Sequence, residues 1–359
     1  MAIQILVAVF FTAGVLDHFF GGRLQLGREF YKGLSTFPSL MLGMLGIYSL
    51  SPLLGRGIQW LFSPVSRFWG LDLAFFPSIL LGVDMGGYTI AMQLAHTPET
   101  GRFCGIVLAS LFGSTLSFSL PLALSILPDR HHDLFMKGFI LGMLSLPFGS
   151  LAGGLVQGLP LRVMLPLLLP LLLFSALLGA LFFWKEHWVT GFFKAFQFLL
   201  KVLSAAGLLL QGIRSITGKT LLPGMLSLQD SFLVVSQIAL FLGGVYGLIY
   251  VIQRLSGRYL QQAAERLRLT ENTLIALLGN FVSNLVIFSH FEKLPARDRL
   301  LTSVLSVSAA FTVGGQLAYI SSVEPGMVPV FLTAKITCAL VSLLLFAFFG
   351  KRILNPNAN

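Results

Sequence analysis

Residues 73–95 read LAFFPSILLGVDMGGYTIAMQLA, an apolar run that is interrupted at its centre by Asp84-Met85-Gly86-Gly87. A second run, residues 272–291, reads NTLIALLGNFVSNLVIFSHF and is interrupted at Gly279-Asn280 and Ser283-Asn284. Each run is long enough to cross a bilayer, which needs about 20 apolar residues. Polar breaks at membrane depth are tolerated only where they line a cavity or are buried in protein. We therefore expect two broken helices inside a membrane.

The composition of the whole chain is typical of a membrane protein. Of its 359 residues, 55% are hydrophobic and 11% are charged, and the mean hydropathy is +0.85. Soluble domains carry about 25% charged residues. The composition predicts an all-α polytopic membrane protein that is surrounded by membrane lipid. Nine further runs are long and apolar enough to span a bilayer, near residues 2–20, 38–54, 103–127, 134–158, 162–184, 192–213, 232–253, 300–322 and 327–349.

Several classes of function are disfavoured. The formal net charge of +10 comes from Lys and Arg in short loops, where they set membrane orientation, so nucleic acid is not an expected partner. Cys104 and Cys338 lie inside apolar runs and form no metal-binding pattern. The run His131-His132-Asp133 has no further Cys or His at metal spacing, and no catalytic or nucleotide-binding motif occurs. We expect no enzymatic activity, no metal and no cofactor.

The loop charges test whether the two interrupted segments cross the membrane. Leaving out Lys201 and Lys335, which lie within spans, 22 of the 24 basic residues remain. Two crossing segments would divide them 12 to 10, while two re-entrant hairpins divide them 16 to 6. Because cytoplasmic loops carry an excess of Lys and Arg, the hairpin arrangement is favoured. It places the N-terminus outside and the C-terminal Lys351-Arg352 in the cytoplasm.

An internal repeat agrees with this topology. Shifting the chain by 197 residues places the first interrupted segment on the second without a gap, and PETGR at 98–102 falls on PARDR at 295–299. Residues 1–158 and 191–359 then form two repeats, each with about four crossing helices plus one broken, re-entrant helix, and residues 159–190 form a linking helix. Five crossings separate the starts of the repeats, so the second is inverted. Inverted repeats with broken helices are a recurring plan of secondary transporters.

Asp84 is the sharpest candidate for a binding residue. An acidic residue at the centre of a membrane helix costs roughly 2.5–3.5 kcal/mol on insertion scales, so it usually has a partner or a function. Gly86 and Gly87 remove side-chain bulk at the tip and allow a ligand to approach the backbone. A carboxylate beside open backbone suits a small cation or amine. The alternative is a charge pair with the intramembrane Lys335, or a protonated Asp84 that is hydrogen-bonded in the core.

Asn280, Ser283 and Asn284 occupy the tip of the second segment. Their neutral donors and acceptors suit a hydroxyl group of a ligand, and helix ends at the break add partial charges. The alternative is interhelical hydrogen bonding, which Asn and Ser commonly supply in membranes. The sequence leaves both interpretations open.

Five stretches along nearly the whole chain carry a family likeness. They are residues 81–87 (LGVDMGG), 140–155 (ILGMLSLPFGSLAGGL), 196–201 (FQFLLK), 222–224 (LPG) and 308–311 (SAAF). These stretches resemble the ethanolamine utilization permease family, EutH. The resemblance implies a multi-pass protein of the bacterial inner membrane that moves ethanolamine, a small protonated amino alcohol, into the cell. The ammonium group would then bind near Asp84 at mid-membrane.

The chain departs from the pattern of that family in two places. In the second segment the family tends to Asn-Asn-Ile-Pro, where this chain has Ser283-Asn284-Leu285-Val286. After the SAAF stretch the family tends to Gly-Asp-His-Leu-Gly-Phe, but residues 314–319 read GGQLAY, so an acid and a histidine are missing. If those groups bind substrate or relay protons, this chain is a divergent member with another substrate.

The leading hypothesis is uptake of ethanolamine or a similar small amine by a permease. One alternative is a secondary transporter of another small polar solute, with Asp84 neutralised by Lys335. The second alternative is a membrane scaffold without transport activity. The sequence leaves open the coupling ion and the oligomeric state, a homo-oligomer included.

Overall fold

Every regular element is a helix in the part of the chain that the computed structural model describes, residues 2–267 and 269–354. A helix satisfies its own backbone N–H and C=O groups, as the hydrocarbon core of a membrane requires. The α-helices are α1 (Ala2–Phe19), α2 (Leu26–Leu34), α3 (Phe37–Leu40), α4 (Gly46–Trp69), α5 (Phe75–Leu80), α6 (Tyr88–Leu94), α7 (Pro98–Arg102), α8 (Leu120–Ile126), α9 (His132–Gln157), α10 (Leu161–Thr217), α11 (Leu228–Leu267), α12 (Glu271–Asn280), α13 (Asn284–His290), α14 (Ala296–Ser308), α15 (Gly315–Val323) and α16 (Val328–Leu354). Wider π-helical turns cover Met41–Leu45, Val83–Gly87, Phe103–Gly113 and Thr115–Ser119, and 3₁₀ turns cover Asp129–His131, Phe291–Lys293 and Pro325–Met327.

Membrane-spanning candidates occur in most of the described chain, outside residues 253–324. Two shorter apolar helices cover Gln4–Phe19 and Leu161–Leu177. Six stretches are long and apolar enough to cross a membrane, namely Leu26–Trp69, Pro98–Ile126, Asp129–Gln157, Gly191–Thr217, Leu228–Ile252 and Pro325–Leu354. All of these overlap predicted spans. The prediction of an all-α, multi-pass membrane protein is confirmed.

The remaining predicted span, residues 300–322, is not one continuous helix. Helix α14 ends at Ser308 and α15 begins only at Gly315, with residues 309–314 unwound between them. Phe311 in this 309–314 break has a left-handed backbone with φ of 61°, which a bulky residue rarely adopts. Its backbone N–H donates to the carbonyl of Asn280 at 3.1 Å. The second interrupted segment therefore supplies a hydrogen-bond acceptor for a backbone N–H of the 309–314 break.

Each interrupted segment brings its two ends close together. In the first, Asp72 before α5 accepts a hydrogen bond from the backbone N–H of His96 after α6, at 3.1 Å. In the second, Thr273 near the start of α12 donates to Asp298, which follows α13, at 2.5 Å. The first and last residues of each interrupted segment therefore lie side by side. The unwound tip of each segment lies at the opposite end of its pair of helices.

The predicted linking helix and the span after it form a single element. Helix α10 has 57 residues, Leu161–Thr217, and at 1.5 Å per residue it is about 85 Å long. That length is more than twice the hydrocarbon thickness of a bilayer, about 30 Å. The predicted boundary between residues 190 and 191 falls inside this helix.

A buried central stretch positions the first tip. All residues of the π-helical stretch Phe103–Gly113 are buried. A Cβ on Gly113 would lie only 2.0 Å from the carbonyl oxygen of Leu81, so only glycine allows the two backbones to come this close. Small residues commonly permit such contacts between membrane helices. The contact holds the tip of the first segment beside Ser114, the next residue of the central stretch.

Candidate functional site

A cavity of about 390 Å³ lies where the two tips and the 309–314 break converge. This volume falls within the roughly 300–1,000 Å³ that is usual for ligand pockets. Asp84 lines it from the first tip, Ser283 from the second tip, Phe311 from the break, and Gly315 and Gln316 from the start of α15. Three separate interruptions of helix therefore form one site.

Asp84 is the only carboxylate among the described residues that line the cavity, and its side chain is half-buried. One of its oxygens lies 3.8 Å from the position that a Cβ on Gly315 would take, so the acid faces the first residue of α15. The N-terminal end of a helix carries a partial positive charge, and α15 presents this end to the carboxyl group of Asp84. In the described chain no ion pair within 4.0 Å reaches Asp84.

Asp17 shows the contrasting case of an acid with a purely structural arrangement. Its two oxygens accept hydrogen bonds from the backbone N–H groups of Leu24 at 2.9 Å and Gly27 at 2.8 Å. These bonds tie the turn after α1 to the start of α2. Asp17 does not line the cavity, and its acceptors are already occupied by the protein itself.

Gly86 and Gly87 shape the first tip and are not among the residues that line the cavity. Gly86 is buried and has φ of 91°, a conformation that glycine adopts without steric cost. A Cβ on Gly87 would lie 2.6 Å from the carbonyl oxygen of Leu81. Both glycines allow the sharp turn that directs Asp84 into the cavity.

The second tip divides its three predicted residues between two environments. Ser283 lines the cavity, and its hydroxyl also accepts a hydrogen bond from the backbone N–H of Leu285 at 3.3 Å, at the start of α13. Asn280 and Asn284 are buried away from the cavity. The amide of Asn280 donates to the carbonyl of Leu305 at 2.8 Å, and that of Asn284 donates to the hydroxyl of Ser119.

Lys335 lies behind the cavity wall with a relative exposure of 2%. Its Nζ donates to two backbone carbonyls, that of Ser110 at 3.0 Å and that of Ala310 at 2.9 Å. Ser110 belongs to the central π-helical stretch, and Ala310 belongs to the 309–314 break. The ammonium therefore joins these two elements, and no ion pair within 4.0 Å connects it to Asp84 among the described residues.

Several cavity residues were not predicted as binding residues from the sequence. Gln316 Nε2 donates to Ser114 Oγ at 2.6 Å. The rings of Phe118 and Phe311 meet edge to face with their centroids 5.4 Å apart. All four residues lie in runs that resemble plain apolar spans. The only local signal of the break is the pair Gly314-Gly315, because two adjacent glycines weaken a helix.

Comparison with known proteins places the chain in a family. The profile of "Ethanolamine utilisation protein, EutH" matches residues 1–349. This chain belongs to the EutH family. The likeness first noted in the tip and the SAAF stretch is thereby confirmed.

Known relatives match most of the chain. It is 28% identical over 353 residues to the "Probable ethanolamine permease EutH" of Listeria monocytogenes, which spans 98% of this chain and 94% of the relative. It is 25% identical over 318 residues to the Escherichia coli protein of the same name, and the match covers 82% of this chain and 78% of that protein. It is 27% identical over 336 residues to "Uncharacterized protein YxeR" of Bacillus subtilis, and the match covers 93% of this chain and 90% of that protein. No solved structure matches the chain.

The family likeness led us to expect an acid and a histidine at positions 315 and 316, and both of these positions lie on the cavity wall. Gly315 and Gln316 line the cavity together with Asp84. Among the described lining residues the cavity therefore keeps one carboxylate.

Proposed function

We propose that this protein is a transporter of the bacterial inner membrane that takes up ethanolamine or a closely similar small amine. The observation that carries the proposal is Asp84, a carboxylate without an ion-pair partner among the described residues, which lines a cavity at the tip of an interrupted membrane segment. The names of the Listeria and Escherichia coli relatives, ethanolamine permeases, support the same conclusion. Transport rather than catalysis is the role that these names describe.

The chemistry of the cavity suits a protonated amino alcohol. An ammonium ion that leaves water for a low-dielectric site needs a fixed opposite charge, since an unpaired ion there is very costly. Asp84 supplies that charge. The hydroxyl of Ser283 on the facing wall is a neutral hydrogen-bonding group for the hydroxyl end of the ligand.

The test is uptake of labelled ethanolamine into proteoliposomes that contain the purified protein. We expect time-dependent uptake above that of protein-free vesicles, inhibited by unlabelled ethanolamine but not by ethylene glycol. Ethylene glycol has a hydroxyl group in place of the amine, so it measures the need for positive charge. Uptake at the level of protein-free vesicles contradicts an ethanolamine transporter, and equal inhibition by ethylene glycol contradicts a cation site.

We also propose that the two interrupted segments are re-entrant hairpins of an inverted repeat, with the N-terminus outside and the C-terminus in the cytoplasm. The 16-to-6 division of loop Lys and Arg supports this topology. The contacts that join Asp72 to His96 and Thr273 to Asp298 support it as well, because each segment returns to the side from which it starts.

Single exposed cysteines test the topology. Both native cysteines, Cys104 and Cys338, are fully buried, so they give little background with an impermeant thiol reagent. We expect Glu99→Cys to react in intact cells and Lys293→Cys to react only after the membrane is opened. Labelling of both positions from the same side contradicts the inverted arrangement.

A further inference from the structure

We infer that Gln316 is a second substrate-binding residue whose side-chain oxygen accepts an N–H of the amine, so that the site selects ammonium groups that retain N–H bonds. The inference rests on the proposed function, since it assumes that an amine occupies the cavity. Gln316 lines the cavity with a relative exposure of only 2%, and its Oε1 has no hydrogen-bond partner among the residues that the structure describes. A buried acceptor without a partner is costly, and a ligand that donates to it removes that cost.

The orientation of the Gln316 amide follows from its neighbour. A serine hydroxyl has one proton to donate, and that of Ser114 is donated to the carbonyl of Ala109 at 3.0 Å. Ser114 Oγ must therefore accept from Gln316, at 2.6 Å, so the amide nitrogen faces Ser114. The oxygen end of the amide is then left for the ligand. Ser114 is a positioning residue in this arrangement.

Gln316 and Asp84 serve the same region of the cavity. Ser114 Oγ and one Asp84 oxygen lie 3.1 Å and 3.2 Å from a single point, the position of a Cβ on Gly82. The other Asp84 oxygen faces Gly315, the residue directly before Gln316. Asp84 and the Gln316 side chain thus line one region of the cavity, and the inference assigns their oxygens as two acceptors for one ammonium group.

Two acceptors distinguish between classes of amine. A primary ammonium has three N–H bonds and can donate to Asp84 and Gln316 at once. A quaternary ammonium such as that of choline keeps the charge for Asp84 but has no N–H, so Gln316 Oε1 stays unpaired. A buried polar group that is left unpaired is the usual basis of strong discrimination between similar ligands.

The experiment measures how well ethanolamine and choline inhibit uptake of labelled ethanolamine into proteoliposomes. Gln316→Met keeps the length of the side chain and removes the acceptor, while Gln316→Glu keeps an acceptor oxygen. We expect the ratio of half-inhibitory concentrations, choline over ethanolamine, to fall about tenfold in Gln316→Met, equivalent to about 1.4 kcal/mol. The Gln316→Glu variant keeps a ratio close to that of the wild type.

A second measurement on the wild-type protein needs no variant and so does not depend on folding of Gln316→Met. Ethanolamine, its N-methyl and N,N-dimethyl derivatives and choline carry three, two, one and no N–H bonds. We expect little loss of inhibition between ethanolamine and its N-methyl derivative, and a clear loss between the N-methyl and the N,N-dimethyl compound, where one acceptor loses its donor. Even steps along the series, or an unchanged ratio in Gln316→Met, overturn the role of Gln316 while wild-type uptake still supports the transporter. Absence of wild-type uptake overturns the proposed function itself.

Discussion

Each of the two interrupted segments consists of a helix, an unwound tip and a second helix, but the polar residues at the two tips have different surroundings. At the first tip, Asp84 faces the cavity, and no described residue forms an ion pair with it. At the second tip, Asn280 and Asn284 are buried and donate to Leu305 and Ser119. A polar residue in a membrane segment is therefore not in itself a ligand site. The two tips differ in position, because Asp84 lines the cavity whereas Asn280 and Asn284 do not.

The largest effect is expected from Asp84→Asn at the first tip. This change keeps the shape and the hydrogen-bonding capacity of the side chain but removes the charge that an ammonium needs. We expect at least about a tenfold loss of ethanolamine uptake, which corresponds to about 1.4 kcal/mol of lost interaction, with unchanged membrane insertion and thermal stability. Initial rates in proteoliposomes and thermal unfolding in detergent measure the two effects. Uptake like that of the wild type would remove the cation site and with it the contrast between the tips.

The double variant Asp84→Asn, Lys335→Met separates the binding role of Asp84 from neutralisation of a buried lysine. Because Lys335 donates to the carbonyls of Ser110 and Ala310, we expect Lys335→Met alone to lower thermal stability by leaving these carbonyls unpaired. The double variant should remain inactive in uptake. Recovery of transport in the double variant would show instead that Asp84 serves mainly to balance Lys335.

A smaller effect of a different kind is expected from Asn280→Ala at the second tip. It removes the hydrogen bond to the carbonyl of Leu305, and such bonds in membranes contribute roughly 0.6–1.7 kcal/mol. We expect a lower unfolding temperature. The ethanolamine concentration for half-maximal uptake by the folded fraction should stay within about twofold of the wild-type value, well below the tenfold change that corresponds to about 1.4 kcal/mol of binding free energy. A large change in that concentration without loss of stability would make the second tip a binding element like the first.

The smallest effect is expected from Ser283→Ala. Its hydroxyl lines the cavity and also caps α13 through a long bond of 3.3 Å to Leu285. We expect uptake to fall by less than about twofold, well below the tenfold change that corresponds to about 1.4 kcal/mol, because the backbone of the tip remains in place. Initial uptake rates measured beside those of Asn280→Ala test this order. A loss as large as that of Asp84→Asn would assign the ligand hydroxyl a dominant role.

The multi-pass membrane character, the two interrupted segments and the presence of Asp84 at the first tip could all be predicted from the sequence. Each depends on local hydropathy, since a charge or a polar pair within some twenty apolar residues is costly unless it is compensated. The glycines beside Asp84 were also local signals, because φ of 91° at Gly86 requires a residue without a Cβ. The EutH likeness was carried by the same short stretches.

The 309–314 break and its consequences depend on contacts between distant parts of the chain. Nothing in the apolar residues around Phe311 marks a left-handed backbone, which is held by a hydrogen bond to Asn280 in another segment. Gln316 reaches the cavity wall bonded to Ser114, 202 residues away in sequence. Lys335 is satisfied by backbone carbonyls, which every residue carries and which no sequence pattern distinguishes. Hydropathy is a property of neighbouring residues, whereas the pairing of a buried donor with its acceptor arises only when the helices pack.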